Sequence, residues 1–173
     1  AYWDHPQFPG RAWSASDWII KNQPMVANPA GSPLWGLAAT RVAGLPFTVT
    51  EYNHSAPNEW QAECIPMIAT YAALQDWDAV YLFAYSHSNQ FQKDHTGSFF
   101  DIEGNWLKMA PLPLAARIFS ASAVAPASAQ RPFYVTSKSA IDNVSAHYEN
   151  LWGFLGANYS ASLQQLLGSR ARL

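Results

Sequence analysis

One carboxylate in this chain has neighbours suited to chemistry. Residues 47–50 form a short β-branched and aromatic run, introduced by Gly44 and Pro46, and Glu51 follows this run directly. The hydrogen-bonding residues 52–54 come next. Active sites of parallel α/β barrels lie at the carboxyl ends of the strands, so this pattern predicts a catalytic carboxylate at Glu51. The alternative is an exposed glutamate at the end of an ordinary strand, since short motifs of this kind also arise by chance.

A second strand and an intervening helix supply the framework for Glu51. Residues 79–85 are almost continuously apolar, which is typical of a strand buried on both faces in a parallel sheet, and the polar segment 86–89 follows them. Residues 58–75 place apolar side chains on one face of a helix. Strand, helix and strand at this spacing predict a right-handed βαβ unit. Both strands then end at one edge of the sheet, so we expect Glu51 and His87 to lie close together.

The rest of the pattern predicts two irregular loops and two further helices. Ser32 and Pro33 form a helix cap, and Gly44 is suited to end that helix. The predicted elements in chain order are a strand end before Asp4, a loop over 9–33, a helix from Pro33 to Gly44, a strand over 46–51, a helix over 58–75, a strand over 79–85, a loop over 90–105 and a helix over 108–119.

Composition excludes several classes of partner. Of the 173 residues, 49% are apolar and 13% are charged, with a net charge of −2, which indicates a globular domain. No basic cluster is interleaved with aromatic residues, so we expect no nucleic-acid partner. No apolar run approaches the roughly 20 residues that a membrane span needs, so we expect no membrane partner. Cys64 is the single cysteine, so no disulfide can form within the chain.

The aromatic, histidine and serine residues allow further interpretations. Eight Trp and eight Tyr are a large aromatic content, which indicates either core packing or a carbohydrate platform. The histidines lack the close spacing of a helical metal-binding pair, so we expect no metal and no cofactor. A serine hydrolase is a rival class, but no Gly-x-Ser-x-Gly turn surrounds Ser86 or Ser88. His5 and His87 are interpreted instead as hydrogen-bonding groups near a ligand.

Several segments resemble a known family of enzymes. Residues 47–53 (FTVTEYN), followed one unit later by residues 82–87 (LFAYSH), resemble strands seven and eight of the clan A retaining glycoside hydrolases. That group of (β/α)8 enzymes contains cellulases and β-galactosidases. Residues 2–7 (YWDHPQ) resemble the end of strand six, and residues 108–119 resemble the closing helix. The resemblance implies an α/β fold that is a partial (β/α)8 TIM barrel with parallel strands and outer helices.

The resemblance also implies roles for particular residues. In this family the glutamate that ends strand seven is the nucleophile, which corresponds to Glu51. The implied substrate is a β-linked poly- or oligosaccharide, and a retaining mechanism cleaves it with two carboxyl groups about 5–5.5 Å apart. The family's acid/base glutamate ends strand four, which this chain lacks, and Glu59 follows an asparagine only at a helix start. The candidate substrate-binding residues are Trp3, His5, Tyr52, Asn53, Tyr85 and His87, with Trp13 and Trp18 as further stacking residues.

The expected organisation has two regions. Residues 1–120 correspond to the C-terminal part of a TIM-barrel catalytic domain, and residues 121–173 are expected to form a linker and a small helical appendage. The helices of that appendage are predicted near 136–150 and 160–167. The alternative to a glycoside hydrolase is a non-catalytic barrel fragment that at most binds carbohydrate and self-assembles.

Three strands of a barrel also predict self-association. Such a sheet has two unpaired edges, which offer backbone groups to another chain. We expect Val49, Val80 and Leu82 to line an inner face that lacks covering strands. We therefore expect a homo-oligomer of closed symmetry that buries this face and these edges.

Overall fold

The computed structural model of this chain describes residues 1–121, 123–132, 138, 142, 146 and 170–172, and it is a mixed α/β fold. The strands are β1 (Tyr2–Trp3), β2 (Thr48–His54), β3 (Ala79–Leu82), β4 (Gln130–Pro132) and β5 (Arg170–Arg172). The helices are α1 (Pro33–Ala39), α2 (Cys64–Gln75), α3 (Trp106–Met109) and α4 (Leu112–Ser120), with short 3-10 turns at Pro29–Gly31 and Gln61–Glu63.

The predicted parallel βαβ unit is confirmed. Strands β1, β2 and β3 form one sheet in that order, and both pairings are parallel. Val49 lies opposite Val80 and Tyr52 lies opposite Leu82. The two residues between Val49 and Tyr52 therefore face the single residue Tyr81, which is a β-bulge.

The prediction that strand β2 ends at Glu51 is wrong. The strand continues to His54 because β1 pairs with its second half, with Tyr2 opposite Asn53 and Trp3 opposite His54. Glu51 is thus the fourth of seven residues in the strand. This extension depends on a partner about 50 residues earlier in the chain, which a local pattern cannot reveal.

The prediction for strand β3 is also wrong in its length and burial. It ends at Leu82 rather than at residue 85, and its residues are half-buried or exposed. Tyr81 is 59% exposed. In the part of the chain that the structure describes, β3 pairs only with β2, so its other edge and part of its surface remain open.

The first helix begins as predicted but ends earlier. The Ser32 hydroxyl accepts a hydrogen bond from the Leu34 amide at 3.2 Å, and Pro33 occupies the first helical position. Such a cap satisfies an amide that has no partner within the helix. The helix ends at Ala39, and the Thr40 amide closes its last turn, so Gly44 lies beyond it.

The structure changes the bounds of the other two predicted helices. The helix expected from residue 58 begins as a helix proper at Cys64, which places Pro66 in the first turn where its missing N–H costs nothing. It ends at Gln75 because Asp76 adopts the left-handed conformation, with φ 61°. The helix expected over 108–119 is two helices, since α3 ends at Met109 and α4 begins after Pro111.

The core lies between the sheet and helices α1, α2 and α4. Val49 and Tyr52 of β2 pack there with Trp35, Ile65 and Ile68, and all five are buried. The side chains of Val80 and Leu82 pack against this same cluster and, with residues of α2 and α4, surround a small apolar cavity of about 150 Å³. The expectation that Val49, Val80 and Leu82 line an inner face without cover is therefore wrong, because the helices cover them.

The last described residues return to the main body. Strand β5 pairs in parallel with β4, and the Arg170 guanidinium lies 3.1 Å from the Asp76 carboxylate. Residues 138, 142 and 146 are helical, with an ion pair of 2.7 Å between Lys138 and Asp142. Most of the helices predicted over 136–150 and 160–167 lie outside the described residues.

Within the described ranges, no helix is long and apolar enough to cross a membrane.

Candidate functional site

The bulge in β2 places Glu51 on the exposed side of the sheet. Thr50 and Glu51 are both exposed, whereas the flanking residues Val49 and Tyr52 are buried. A bulge breaks the alternation of a strand and can turn a side chain away from the core, and bulges are common next to active sites. The Glu51 carboxylate is therefore accessible to a ligand although it lies within a strand.

Tyr2 holds the Glu51 carboxylate in place. The Tyr2 hydroxyl donates to Glu51 Oε2 at 2.5 Å, a length typical of a hydrogen bond between a hydroxyl and a charged carboxylate. Burial, this hydrogen bond and the negative charge of Glu51 together raise the pKa of Tyr2 well above its usual range. Tyr2 therefore stays protonated at any physiological pH, and its hydroxyl remains the donor of the hydrogen bond to Glu51.

Aromatic rings surround this pair. The Tyr2 ring lies 4.5 Å from the Phe100 ring and 6.2 Å from the Phe83 ring, between centroids. The exposed His5 ring lies 5.6 Å from Tyr2 and 5.4 Å from Phe100. We call Tyr2, His5, Phe83 and Phe100 the aromatic platform. It places an apolar surface and one imidazole next to the Glu51 carboxylate.

A buried amide fixes two members of the aromatic platform. The Asn53 side chain is fully buried, and its Nδ2 donates at 2.6 Å to the backbone carbonyls of both Phe83 and Phe100. Its Oδ1 accepts from the His54 amide at 2.8 Å. Asn53 thereby ties the end of β3 to the loop that carries Phe100. Loss of this amide would leave buried polar groups without partners, which would lower the free energy of unfolding.

His87 is oriented by a buried acid. The Asp101 carboxylate is 1% exposed, and its Oδ1 lies 2.5 Å from His87 Nδ1 and 3.1 Å from the His87 amide nitrogen. An Nδ1 that donates to a carboxylate leaves Nε2 as the remaining polar atom of the ring. The His87 ring also lies 5.2 Å from the Phe83 ring, next to the aromatic platform.

A buried polar network lies beneath the end of β2. The Tyr52 hydroxyl lies 3.0 Å from His54 Nε2, and Lys108 Nζ donates to the His54 carbonyl at 2.6 Å. Burial, with the nearby Lys108 charge, lowers the pKa of His54 to about 3. Burial lowers the pKa of Lys108 to about 8, and Cys64 and Asp101 partly offset that effect. Burial raises the pKa of Cys64 to about 12, so its thiol is not a nucleophile at neutral pH.

Two cavities flank the aromatic platform. The first, of about 590 Å³, is lined by Tyr2, Trp3 and His5 together with the charged residues Asp4 and Lys21. The second, of about 670 Å³, is lined by a different set that includes His87. Both volumes lie in the range of small-molecule sites.

The structure brings some of the predicted site residues together. Glu51, His5 and His87 all lie at or beside the aromatic platform. Trp3 is 8% exposed, and its indole N–H donates to the Gln23 carbonyl at 2.8 Å.

The other predicted residues occupy different surroundings. Tyr52 and Asn53 are fully buried, so their geometry suits positioning of neighbours rather than contact with a ligand. Tyr85 is 51% exposed and packs beside Phe91 with ring centroids 6.1 Å apart. The prediction that these residues bind substrate stays a prediction.

Sequence reasoning did not identify Tyr2, Phe100 and Asp101 as site residues. Tyr2 reaches Glu51 only through the pairing of β1 with β2, and the register of that pairing is not visible locally. Phe100 and Asp101 lie in a loop that the sequence predicts only as irregular. One available signal was the placement of an acidic residue and two adjacent aromatic residues in a loop after β3 and the polar segment that contains His87.

Two other acidic residues of the region, Glu63 and Glu103, already have partners. Glu63 Oε2 accepts from the Met25 amide at 2.7 Å, and the buried Glu103 accepts from the Lys93 amide at 3.4 Å. Within the described ranges, the Glu51 carboxylate is hydrogen-bonded by Tyr2 and by no second carboxyl group. No three His, Cys, Asp or Glu side chains are grouped to hold a metal among these residues.

Comparisons with protein-family models, with curated proteins and with solved structures each found no match for this chain.

Proposed function

We propose that this chain carries the nucleophile of a retaining glycoside hydrolase that acts on β-linked poly- or oligosaccharides, within a partial (β/α)8 barrel. The observation that carries the proposal is the exposed Glu51 carboxylate, held by the Tyr2 hydroxyl beside the aromatic platform. Sugar rings present C–H faces that pack on aromatic rings and hydroxyl groups that bond to imidazole and carboxylate groups. Both kinds of partner occur together at this site.

The proposed chemistry follows from the position of Glu51. One carboxylate oxygen attacks the anomeric carbon, a C–O ester bond forms, and the glycosidic C–O bond breaks. The electron pair of the broken bond goes to the leaving oxygen, which takes a proton from an acid. Water then attacks the anomeric carbon, and the bond to Glu51 breaks and restores the carboxylate. A proton of the water passes to the conjugate base of the acid, and the sugar leaves with its anomeric configuration retained. Tyr2 donates to Oε2 throughout, which holds the plane of the carboxylate and directs Oε1 to the ligand.

A second carboxyl group is needed for ordinary substrates but not for activated ones. An alkoxide leaving group is too basic to depart without a proton, so the acid is essential for natural glycosides. A dinitrophenolate leaves without protonation. A chain that supplies the nucleophile alone is therefore expected to release dinitrophenol from dinitrophenyl β-glycosides while leaving polysaccharides intact.

Release of dinitrophenol tests this function directly. We expect the wild-type chain to release it, with the second step accelerated by azide, since azide attacks the ester without a general base. Glu51→Gln is expected to abolish the release, because an amide cannot form the ester. Glu59→Gln is the matched control, since Glu59 is also an exposed glutamate in the same region. Equal rates for wild-type and Glu51→Gln proteins would contradict the proposal.

A non-catalytic role with self-association is the second candidate. Within the described residues, β3 pairs with β2 alone and exposes Tyr81, so its free edge can accept a strand from another copy. We therefore propose a homo-oligomer. Static light scattering at low micromolar concentration is expected to give a mass above the 19.1 kDa of one chain. A stable, compact monomer would contradict this.

A further inference from the structure

The second cavity has walls that suit a sugar ring. It is lined by Trp13, Trp18 and Phe99, with Gln61 and His87 among its polar residues, and its volume is about 670 Å³. We call it the tryptophan cavity. The Trp18 and Phe99 rings meet edge to face, with centroids 4.9 Å apart and planes at 82°. The tryptophan cavity is thus a preformed aromatic corner of the size of a small-ligand site.

The aromatic walls are available for packing. The Trp18 indole N–H already donates to the Ala15 carbonyl at 3.1 Å, so this ring has only its apolar surface to offer a ligand. Trp13 is 72% exposed, which is unusual for so large an apolar side chain. An exposed tryptophan at the edge of an aromatic cavity is a surface that a ligand can cover.

The polar groups of the tryptophan cavity are also oriented. Because His87 Nδ1 is bonded to Asp101, Nε2 is the atom of this ring left for a ligand. Gln61 Oε1 accepts from Asn105 Nδ2 at 2.7 Å, which leaves the amide N–H groups of Gln61 as donors. The cavity therefore offers an imidazole nitrogen and an amide donor next to apolar walls, and both polar groups can bond to the hydroxyl groups of a sugar ring.

The charge of the lining selects among ligands. None of the residues described as lining the tryptophan cavity is Asp, Glu, Lys or Arg. The nearest charged groups, the Lys93 ammonium and the Asp101 carboxylate, lie together beside Gly97 and are opposite in sign, so an ionised ligand would lose its hydration without gaining a net countercharge. The first cavity differs, since Asp4 and Lys21 line it. The tryptophan cavity thus favours a neutral ligand.

The tryptophan cavity is continuous with the aromatic platform. Phe99 lies in its wall, and the next residue, Phe100, belongs to the platform beside Tyr2. His87 likewise lines the cavity and contacts Phe83 of the platform. These ring contacts, with Phe99 and Phe100 centroids 6.4 Å apart, place the cavity beside the platform, so the proposal below includes a chain of linked sugar rings that extends from Glu51 into the cavity.

We propose that the tryptophan cavity binds one ring of a neutral β-linked oligosaccharide, as a site separate from the one at Glu51. The choice of a sugar as ligand rests on the proposed function. Trp13, Trp18 and Phe99 pack on the ring, while His87 Nε2 and the Gln61 amide bind its hydroxyl groups. The site determines which chains are held and does not take part in bond cleavage.

Calorimetry in the Glu51→Gln background tests binding apart from hydrolysis. The probes are neutral β-linked hexaoses of glucose, mannose, xylose and galactose. We expect at least one to bind, and Trp13→Ala to weaken it about tenfold, which corresponds to the loss of one aromatic contact. Trp106→Ala is the matched control, because Trp106 is 74% exposed and Trp13 is 72% exposed, yet Trp106 lies outside the cavity. Unchanged affinity in Trp13→Ala, or no binding of any hexaose, would overturn the proposal.

Two further measurements separate this inference from the proposed function. Trp18→Ala is expected to weaken hexaose binding about tenfold as well, and circular dichroism checks that it folds. Release of dinitrophenol from a monosaccharide glycoside is measured on the wild-type chain and on Trp106→Ala, and is expected to be the same in both, since Trp106 lies outside the cavity. Hexaose binding that depends on Trp13 without any release of dinitrophenol would support the cavity and contradict the hydrolase. Release without such binding would contradict the cavity alone.

Discussion

Lys108 makes the stability of this protein depend on pH above neutrality. Its side chain is fully buried, and its Nζ donates to the His54 carbonyl at 2.6 Å. Burial lowers its pKa from 10.5 to about 8 in the folded protein. Between these two values the unfolded chain binds a proton that the folded chain has released. The free energy of unfolding therefore rises as the pH rises through this range.

The size of the effect follows from the two pKa values. With pKa values of 10.5 unfolded and about 8 folded, the contribution of Lys108 to the free energy of unfolding increases by roughly 1 kcal/mol between pH 7 and pH 9. Cys64 acts in the opposite direction, because burial raises its pKa from 9.0 to about 12. Part of that stabilising contribution is already lost as the pH approaches 9, but Lys108 has the larger effect between pH 7 and pH 9.

Urea denaturation at pH 7, 8 and 9 measures this effect. We expect Lys108→Met to remove the rise of roughly 1 kcal/mol that Lys108 contributes in the wild-type chain over this range. Groups that titrate there and do not interact with Lys108 are common to both proteins and cancel in the difference. Lys138→Met is the control, since the Lys138 side chain is 88% exposed. An equal slope in the wild-type and Lys108→Met proteins would refute the assignment of a buried, weakly basic lysine.

Two further predictions concern His54, a buried residue of β2, and Tyr2, the hydrogen-bond partner of Glu51. Burial lowers the pKa of His54 from 6.5 to about 3, so the unfolded chain binds a proton first and stability falls by roughly 2 kcal/mol between pH 6 and pH 4. His54→Gln is expected to reduce that fall in urea denaturation, while His95→Gln, at a residue with a largely exposed side chain, should leave it unchanged. Tyr2→Phe removes the hydrogen bond to Glu51 and is expected to slow dinitrophenol release about tenfold with little change in folding. A Tyr2→Phe rate equal to that of the wild type would show that this hydrogen bond does not position the nucleophile.

The sequence was sufficient to predict the local framework of the fold. The cap at Ser32 and the parallel pairing of β2 with β3 depend on residue types and spacing within short segments, and both are confirmed. The boundaries were less predictable. Strand β2 extends beyond Glu51 only because β1 pairs with it, and β3 is open at one edge because of its place in the sheet. Such features depend on partners that are distant in the sequence.

The candidate site could be predicted only in part, because it also depends on contacts between residues that are distant in the sequence. The Glu51 carboxylate follows from a strand pattern, and its accessibility depends on a bulge opposite Tyr81 that no local signal announces. The contact with Tyr2 joins residues 49 positions apart. Asn53 was predicted to contact substrate, and in the structure its amide bonds two backbone carbonyls. A polar residue near a site can serve the ligand or the protein, and the residue type alone does not decide between them.

Covalent trapping tests the role of Glu51 most directly. Dinitrophenyl 2-deoxy-2-fluoro-β-cellobioside and the corresponding β-galactoside carry a leaving group that needs no acid, and their fluorine slows hydrolysis of the ester. Mass spectrometry of the digested protein is expected to find a fluoroglycosyl group on the peptide that contains Glu51, and none in Glu51→Gln. No adduct, or an adduct on Glu59 or Glu63 in place of Glu51, would contradict the assignment of the nucleophile.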